Sequence, residues 1–247
     1  MPKDFSLQFC SRSHTGKVKR NNEDYLRIHQ NGFLAAIADG MGGTDFGEVA
    51  SQIAVDASIE YLANTTSTKL LEKPAGELGN AVKYANEAII AIQRNEEKYR
   101  TMGSTLTCFL MINNQLHFSW VGDSRIYIVR PENTSIQMLT KDHTLDRNKI
   151  DATLAPDLYR RAPSILTQKV GSILLIQPDT GCFELKAGDI IVACTDGLSD
   201  RIDDQLLLEY GLKFAENLEG YADKLLDRAL DCGGQDNISL ILAQVMS

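Results

Sequence analysis

Short apolar runs that end in polar or glycine-rich turns recur along the chain and predict a core rich in β-strands. Residues 26–29 alternate between apolar and polar, and the turn Asn31-Gly32 leads from them into the apolar run 33–38, a β-hairpin pattern. Residues 104–112 are apolar on both alternating faces, as in a deeply buried strand. Further strand patterns occupy residues 115–120, 126–129, 135–139, 190–195 and 238–245. Short turns connect several of these runs, so the sheets are predicted to be largely antiparallel.

Three stretches have the periodicity of amphipathic helices. The first has an apolar residue at every fourth position: Val49, Ile53, Ala57 and Tyr61. The second combines spacings of four and three: Leu78, Val82, Ala85, Ile89 and Ile92. The third covers residues 221–230. Strand-rich layers with helices on both sides predict an α/β (α+β) sandwich.

Residues 142–166 lose this periodicity and contain two prolines and mixed charges. An irregular segment of this length inside a compact domain is usually functional or mobile. No repeat, low-complexity stretch or flexible linker divides the chain, so residues 1–247 are predicted to form a single domain.

Composition and charge narrow the classes of partner. Of the 247 residues, 43% are hydrophobic and 23% are charged, and 25 lysines and arginines against 33 aspartates and glutamates give a net charge of −8. This balance argues against nucleic acid or an anionic membrane as the main partner. There is no N-terminal apolar leader and no run near the ~20 apolar residues of a membrane span. The five cysteines are widely spaced and mostly in apolar runs, which favours reduced thiols in a cytoplasmic protein.

Three aspartates stand at abrupt borders between an apolar run and a turn. Asp39 and Asp196 each follow a predicted buried strand, and Asp236 lies just before the last one. Gly40 follows Asp39, and the lack of a side chain would let backbone approach an ion closely. Converging carboxylates repel one another unless a positive charge lies between them, so a divalent metal site is predicted. The histidines and cysteines do not cluster, which favours Mg²⁺ or Mn²⁺ over Zn²⁺.

Other charged segments are open to more than one interpretation. Residues 21–24 end in Glu23 and Asp24, of which only one can face a shared site; a solvated charge run is the alternative. Residues 122–125 could carry a functional Asp123 or be a turn with a surface ion pair. Residues 141–144 favour a buried hydrogen-bonded turn over a catalytic pair. Dinucleotide, P-loop and G-x-S-x-G motifs are incomplete or lacking.

Eight short motifs, in this order, resemble those of the PPM family, the metal-dependent type 2C protein phosphatases, and the bacterial branch in particular. They are G-x-V-x-x-N-N-E-D (16–24), A-D-G-M-G-G (38–43), G-S-T (103–105), G-D-S-R (122–125), D-H-T (142–144), L-T-x-x-x-G (166–171), T-D-G-L-S-D (195–200) and Q-D-N (235–237). Each motif alone is weak, but their order spans nearly the whole chain.

The resemblance implies a four-layer α-β-β-α sandwich in which two stacked antiparallel sheets are flanked by helix pairs. It implies that Asp39 bridges two Mg²⁺ or Mn²⁺ ions, that the Gly40 carbonyl binds one, and that Asp196 and Asp236 bind the other. Glu23 would hold water on the Gly40 side, and Asp123, with Asp196, would support a third, weaker ion. The stretch 144–165 corresponds to the family's flap, which borders the substrate cleft.

The implied activity is hydrolysis of phosphoserine and phosphothreonine on proteins by direct attack of a metal-bridging water, without a phosphoenzyme. Expected partners are a phosphoprotein substrate and an opposing serine/threonine kinase, and the chain is expected to act as a monomer. The alternatives are a pseudophosphatase that serves as a phosphoprotein-binding scaffold and, third, a phosphatase for small esters.

Two positions depart from the family pattern. Lys19, followed by Arg20, stands where the family has a phosphate-binding arginine, and a lysine lacks the bidentate fork of arginine. Met41 stands where many eukaryotic members have a histidine suggested as the general acid. At the position of the family's arginine, the resemblance assigns phosphate binding to Lys19, and a small shift of the chain would let Arg20 take the place of Lys19.

Overall fold

The computed structural model describes residues 5–41 and 46–247, and two antiparallel sheets dominate it. The first sheet has the order β1-β11-β10-β7-β8 and the second β2-β3-β5-β6-β9, with β4 paired to β3. The strands are β1 Ser6–His14, β2 Asp24–Ile28, β3 Leu34–Met41, β4 Gly103–Ser104, β5 Leu106–Ile112, β6 Gln115–Val121, β7 Arg125–Arg130, β8 Ser135–Met138, β9 Asp179–Glu184, β10 Ile190–Cys194 and β11 Ile238–Met246.

Helices cover the outer face of each sheet. The α-helices of the described residues are α1 Gly47–Asn64, α2 Ser67–Glu72, α3 Pro74–Asn95, α4 Pro156–Arg161, α5 Asp196–Ser199, α6 Asp204–Lys213 and α7 Leu218–Asp231. Helices α1 and α3 pack on the second sheet, and α6 and α7 pack on the first. The two sheets share a third apolar cluster between them. The α-β-β-α sandwich is therefore confirmed. Within the described residues, no helix has the length and apolar character that a membrane crossing requires.

Strand β3 is apolar at nearly every position because both of its faces are buried. Ala35 and Ile37 face the other sheet, whereas Leu34, Ala36 and Ala38 pack against the helices. Because the strand is covered on both sides, its apolar pattern is continuous rather than alternating. The predicted hairpin is also present, since β2 pairs with β3.

Three local features differ from the sequence pattern. In α1 the buried positions include Ala50, Ala54, Ser58 and Leu62, one residue after the predicted stripe. This helix contacts both its sheet and α3, and small side chains on that face allow close approach. Strands β1 and β9 had no clear signal because both lie at sheet edges and are partly exposed. Finally, the chain changes sheets between β6 and β7, at residues 122–124.

Gly197, at the start of α5, has no room for a side chain. A Cβ there would collide with the carbonyl oxygen of Asn237. Gly197→Ala is therefore expected to lower the free energy of unfolding by about 3 kcal/mol. Gly76→Ala is the control, because its Cβ would lie 3.8 Å from the nearest atom, Cβ of Lys73, on helix α3. The control is expected to be neutral or stabilising by about 0.5–1 kcal/mol. Urea unfolding would measure both, and equal effects would contradict the expectation.

Candidate metal centre

The predicted carboxylates meet where the ends of the two sheets adjoin. Asp39 lies near the end of β3. Asp196 is the second residue after β10, and Asp236 is the second residue before β11. These strands belong to different sheets, so the stacking of the sheets creates their common cleft of about 480 Å³. The cleft lining comprises Lys19, Glu23, Asp39, Gly40, Met41, Asp123, Ser164, Ile165, Leu166, Lys169, Asp196 and Asp236. Among the site residues predicted from sequence, Arg20 alone does not line it and is exposed. Gly42 and Gly43 of the A-D-G-M-G-G motif lie outside the described residues.

Burial and mutual repulsion raise the pKa values of carboxyl groups in this cleft. Burial, together with the charges of Asp24 and Asp196, holds the pKa of Asp39 well above its usual range. Burial and the charge of Asp236 raise the pKa of Asp196. Burial, with Asp196 nearby, raises the pKa of Asp123 to about 7. These shifts disfavour the ionised forms, so the cluster would be stabilised by a cation.

The donor set fits a hard divalent cation. Asp196 Oδ1 is buried without a hydrogen-bond partner among the described residues, and the surrounding carboxylate oxygens suit Mg²⁺ or Mn²⁺. As the side chains stand, no three Asp, Glu, His or Cys groups within residues 5–41 and 46–247 form a group that could hold an ion. Instead, Lys19 Nζ lies 2.6 Å from Asp236 Oδ1. An ion at Asp236 would therefore either compete with Lys19 for Oδ1 or bind at Oδ2 beside it.

Lys19 is brought to the cleft by a glycine turn. Gly16 has φ of +83°, and a side chain there would collide with the backbone carbonyl of Asp236. The next residue, Lys17, donates its N–H to the Gly234 carbonyl at 2.7 Å. Burial disfavours the charged form of Lys19, but the hydrogen bond with Asp236 and the charges of Asp236, Asp39 and Glu23 together outweigh burial and raise the Lys19 pKa. The turn therefore presents a stable cation at the edge of the carboxylates.

The G-S-T motif positions Asp39. Thr105 Oγ1 accepts the Asp39 N–H at 2.8 Å, and the Thr105 N–H donates to the Asp39 carbonyl at 2.9 Å. Ser104 Oγ donates to the same carbonyl at 2.8 Å. These bonds hold the backbone and leave the Asp39 carboxylate available to the cleft.

Asn237 joins three chain segments at the cleft and was not selected as a site residue from the sequence. Its Nδ2 donates to the carbonyls of Thr15 and Asn21, at 2.8 Å each, and its Oδ1 accepts the Glu23 N–H at 2.8 Å. The side chain is buried, so its amide has no competing water contacts. The Q-D-N motif therefore supplies both a carboxylate and the fastening of the loop that carries Lys19.

Asp24 is a second residue that the sequence did not reveal as part of this centre. It pairs with Asp39 across β2 and β3, and the Thr195 hydroxyl donates to its Oδ2 at 2.9 Å. Its Oδ1 is buried without a partner among the described residues. Burial raises the pKa of Asp24 to about 7, although hydrogen bonds from Ser239 and Thr195 oppose the shift. Glu23 lines the cleft and Asp24 does not, as the alternation of strand residues predicts.

Glu48, in the first turn of α1, adds a carboxylate behind Glu23. Burial raises the pKa of Glu23, Lys19 opposes this shift, and Glu48 reinforces it. Glu48 Oε2 is itself buried and lacks a hydrogen-bond partner within the described part of the chain. No motif in the sequence marked this residue, because its closeness to Glu23 arises from packing of α1 on β2.

The turn that carries Asp123 is held by a fork-shaped ion pair. Arg125 Nε and Nη2 donate to the two carboxylate oxygens of Asp142 at 2.9 and 2.7 Å. The ring Nδ1 of His143 accepts the Gly122 N–H at 3.2 Å, and the backbone N–H of His143 donates to the Gly122 carbonyl. Arg125 therefore pairs with the more distant Asp142 and not within residues 122–125, and this partly buried pair and the hydrogen-bonded turn at His143 together hold Asp123 at the cleft.

Comparison with known proteins identifies relatives over nearly the whole chain. PstP, a serine/threonine protein phosphatase of Mycobacterium tuberculosis, is 35% identical over 242 residues, which cover 97% of this chain and 45% of PstP. This chain thus spans about 45% of the length of PstP. The protein phosphatase PhpP of Streptococcus pneumoniae is 30% identical over 97% of this chain and 98% of its own.

Solved structures agree with the fold. The crystal structure of the M. tuberculosis phosphatase PstP/Ppp superposes with a TM-score of 0.84 at 32% identity, over 98% of this chain and all of that one. The crystal structure of the PstP catalytic domain in complex with two manganese ions superposes with a TM-score of 0.81 at 32% identity. The match covers 99% of this chain and 100% of that one. A family model described as Protein phosphatase 2C matches residues 11–232. With its eight motifs and its carboxylate cleft, the chain belongs to the protein phosphatase 2C family.

Proposed function

We propose that this protein is a metal-dependent phosphatase that hydrolyses phosphoserine and phosphothreonine on proteins. The convergence of Asp39, Asp196 and Asp236 from three distant chain segments carries this proposal. The raised pKa values of Asp39 and Asp196 and the unpartnered Asp196 Oδ1 indicate a site suited to cations. The named serine/threonine phosphatases among the relatives support the substrate class.

The proposed ligands divide between the two sheets. Two Mn²⁺ or Mg²⁺ ions are assigned to Glu23, Asp39, Gly40, Asp196 and Asp236, and a third ion to Asp123 with Asp196. When bound, such ions would lower the pKa of a water nucleophile and offset the charge of the phosphate. The two manganese ions in the structure of the PstP catalytic domain support the two-ion part of this proposal.

The chain's own cations would bind and orient the substrate phosphate. Lys19 is already at the cleft, and its release from Asp236 on metal binding would free its ammonium group for a phosphate oxygen. Arg20 lies on the same loop and is exposed, so a small change of the loop could add its guanidinium. The Asn237 clamp keeps this loop next to the carboxylates.

We propose that residues 1–247 act as a single phosphatase domain in which residues 144–165 form a flap beside the substrate. An isolated bridge between Thr144 and Leu166 closes the base of this segment, and Ser164 and Ile165 line the cleft. We further propose that the protein acts as a monomer in the cytoplasm and opposes a serine/threonine kinase. The five unpaired thiols support that compartment.

Turnover with and without manganese tests the proposal. Hydrolysis of para-nitrophenyl phosphate and of a phosphothreonine peptide is expected with 2 mM Mn²⁺, roughly a thousandfold above the rate in EDTA. Equal rates in the two conditions, or no turnover of either substrate, would overturn it. The scaffold alternative predicts peptide binding without manganese binding, so calorimetric titration with Mn²⁺ distinguishes the two.

A further inference from the structure

A larger groove adjoins the metal-centre cleft. It has a volume of about 1040 Å³ and is lined by the end of α3, residues 97–101 and the loop 171–174; we call it the α3 groove. Lys169 lines both the groove and the cleft, and its side chain lies over Gly103, which pairs with Met41. The groove and the cleft are therefore neighbours that share the side chain of Lys169.

The α3 groove is positively charged on a protein of net charge −8. Among the described residues that line it, the charged ones are Arg94, Arg100 and Lys169 and a single carboxylate, that of Glu97. Arg100 and Glu97 are 3.6 Å apart and both largely exposed, so this pair contributes little. Neither Arg94 nor Lys169 has a carboxylate within 4 Å among the described residues. The groove thus offers uncompensated positive charge to a ligand.

One wall of the α3 groove continues into an exposed apolar loop. Ile173, Leu174 and Leu175 are 85%, 76% and 86% exposed, and among the described residues only Leu154 is a comparably exposed large apolar side chain. Consecutive apolar residues in this state are characteristic of interaction sites. The buried Ile176 follows directly and fixes the end of the loop in the core.

The start of this loop is fastened to α3. Asn86 Oδ1 accepts the N–H groups of Gly171 and Ser172 at 2.8 and 3.0 Å, and Gln93 Nε2 donates to the Gly171 carbonyl at 2.9 Å. Leu174 N–H donates to Ser172 Oγ at 3.2 Å. A loop held in this way presents its apolar side chains before a ligand arrives, which reduces the entropy lost on binding.

We propose that the α3 groove binds the part of a phosphoprotein substrate that flanks the phosphorylated residue, and that it selects segments combining carboxylates with large apolar side chains. This inference rests on the proposed phosphatase function. The positive charge of the α3 groove is complementary to acidic residues, and its apolar wall is complementary to leucine-like side chains. Lys169 lines both the groove and the metal-centre cleft, so the segment next to the phosphorylated residue would lie beside the groove.

Matched phosphothreonine peptides test the inference. One has neutral flanks, and two others carry a block of alternating glutamate and leucine on the N-terminal or the C-terminal side. The double variant Arg94→Gln/Arg100→Gln removes two cations, and Ile173→Ser/Leu174→Ser removes the apolar wall. The control Lys69→Gln/Lys83→Gln makes the same charge change at exposed positions on α2 and α3 outside the groove.

We expect the wild-type protein with Mn²⁺ to prefer one of the acidic-apolar peptides over the neutral one in kcat/KM. Each groove variant should lower kcat/KM for that peptide about fivefold, with para-nitrophenyl phosphate and the control variant unaffected. Fluorescence anisotropy with labelled peptides in EDTA measures binding in the absence of turnover. Binding that depends on neither the flanks nor the groove residues would overturn the inference. Absent turnover with flank-dependent, groove-dependent binding would overturn the phosphatase proposal and leave the docking site standing.

Discussion

Replacement of Asp39 by asparagine is expected to reduce kcat/KM for a phosphothreonine peptide by at least about a thousandfold in saturating Mn²⁺. The charges of Asp24 and Asp196 act on this buried carboxylate and raise its pKa, and its own charge is the feature that a bridging ligand requires. Asparagine keeps nearly the same shape, and the hydrogen bonds with the side chains of Thr105 and Ser104 involve only the Asp39 backbone. The variant should therefore fold, and the loss of activity should reflect the lost charge.

Stability measurements separate this outcome from unfolding. Without metal, Asp39→Asn is expected to be at least as stable as the wild type, because it removes one member of a repelling carboxylate cluster. Asp227→Asn, at an exposed position of α7, is the control and should retain full activity. If Asp39→Asn kept more than a tenth of the wild-type kcat/KM, the assignment of Asp39 as the bridging ligand would be wrong.

The metal-free protein is expected to lose stability as the pH rises from about 4 to about 7, and Asp24 is a main cause. Burial raises its folded-state pKa to about 7, from a usual value of 3.8. Because the folded state binds this proton more tightly than the unfolded state, the stabilisation is complete below pH 4 and disappears above pH 7. For one aspartate, the full difference is about 4 kcal/mol.

Asp24→Asn isolates this contribution because the amide resembles the protonated acid. Its oxygen can still accept the hydrogen bond from Thr195. In EDTA, the variant should be more stable than the wild type by only about 1 kcal/mol at pH 4.5 and by up to about 4 kcal/mol at pH 8, as measured by urea unfolding. If the wild type and variant differed equally at both pH values, proton uptake by Asp24 could not be the cause.

The sequence predicted the architecture well because its strongest patterns are local. Continuous apolar runs such as residues 33–38 and 190–195 indicated strands buried on both faces, and the i, i+4 and i, i+3 spacing of Leu78 to Ile89 indicated the buried stripe of α3. Edge strands gave weaker patterns. β1 is paired along its whole length with β11, more than 220 residues away, and this pairing rather than local composition determines its structure.

For the candidate site, too, the sequence predicted the local features and the tertiary structure determined the long-range ones. The sequence alone determined that Asp39, Asp196 and Asp236 stand beside buried strands and turns. This was possible because an apolar run and the polar turn beside it are adjacent in the sequence. The tertiary structure decided that these borders share one cleft, that Lys19 meets Asp236 while Arg20 stays outside, and that Asn237 fastens the loop. It also decided the roles of Asp24 and Glu48, whose burial depends on residues from other segments. A carboxyl group's pKa and partners depend on its surroundings in space, and sequence spacing does not reveal which distant residues supply them.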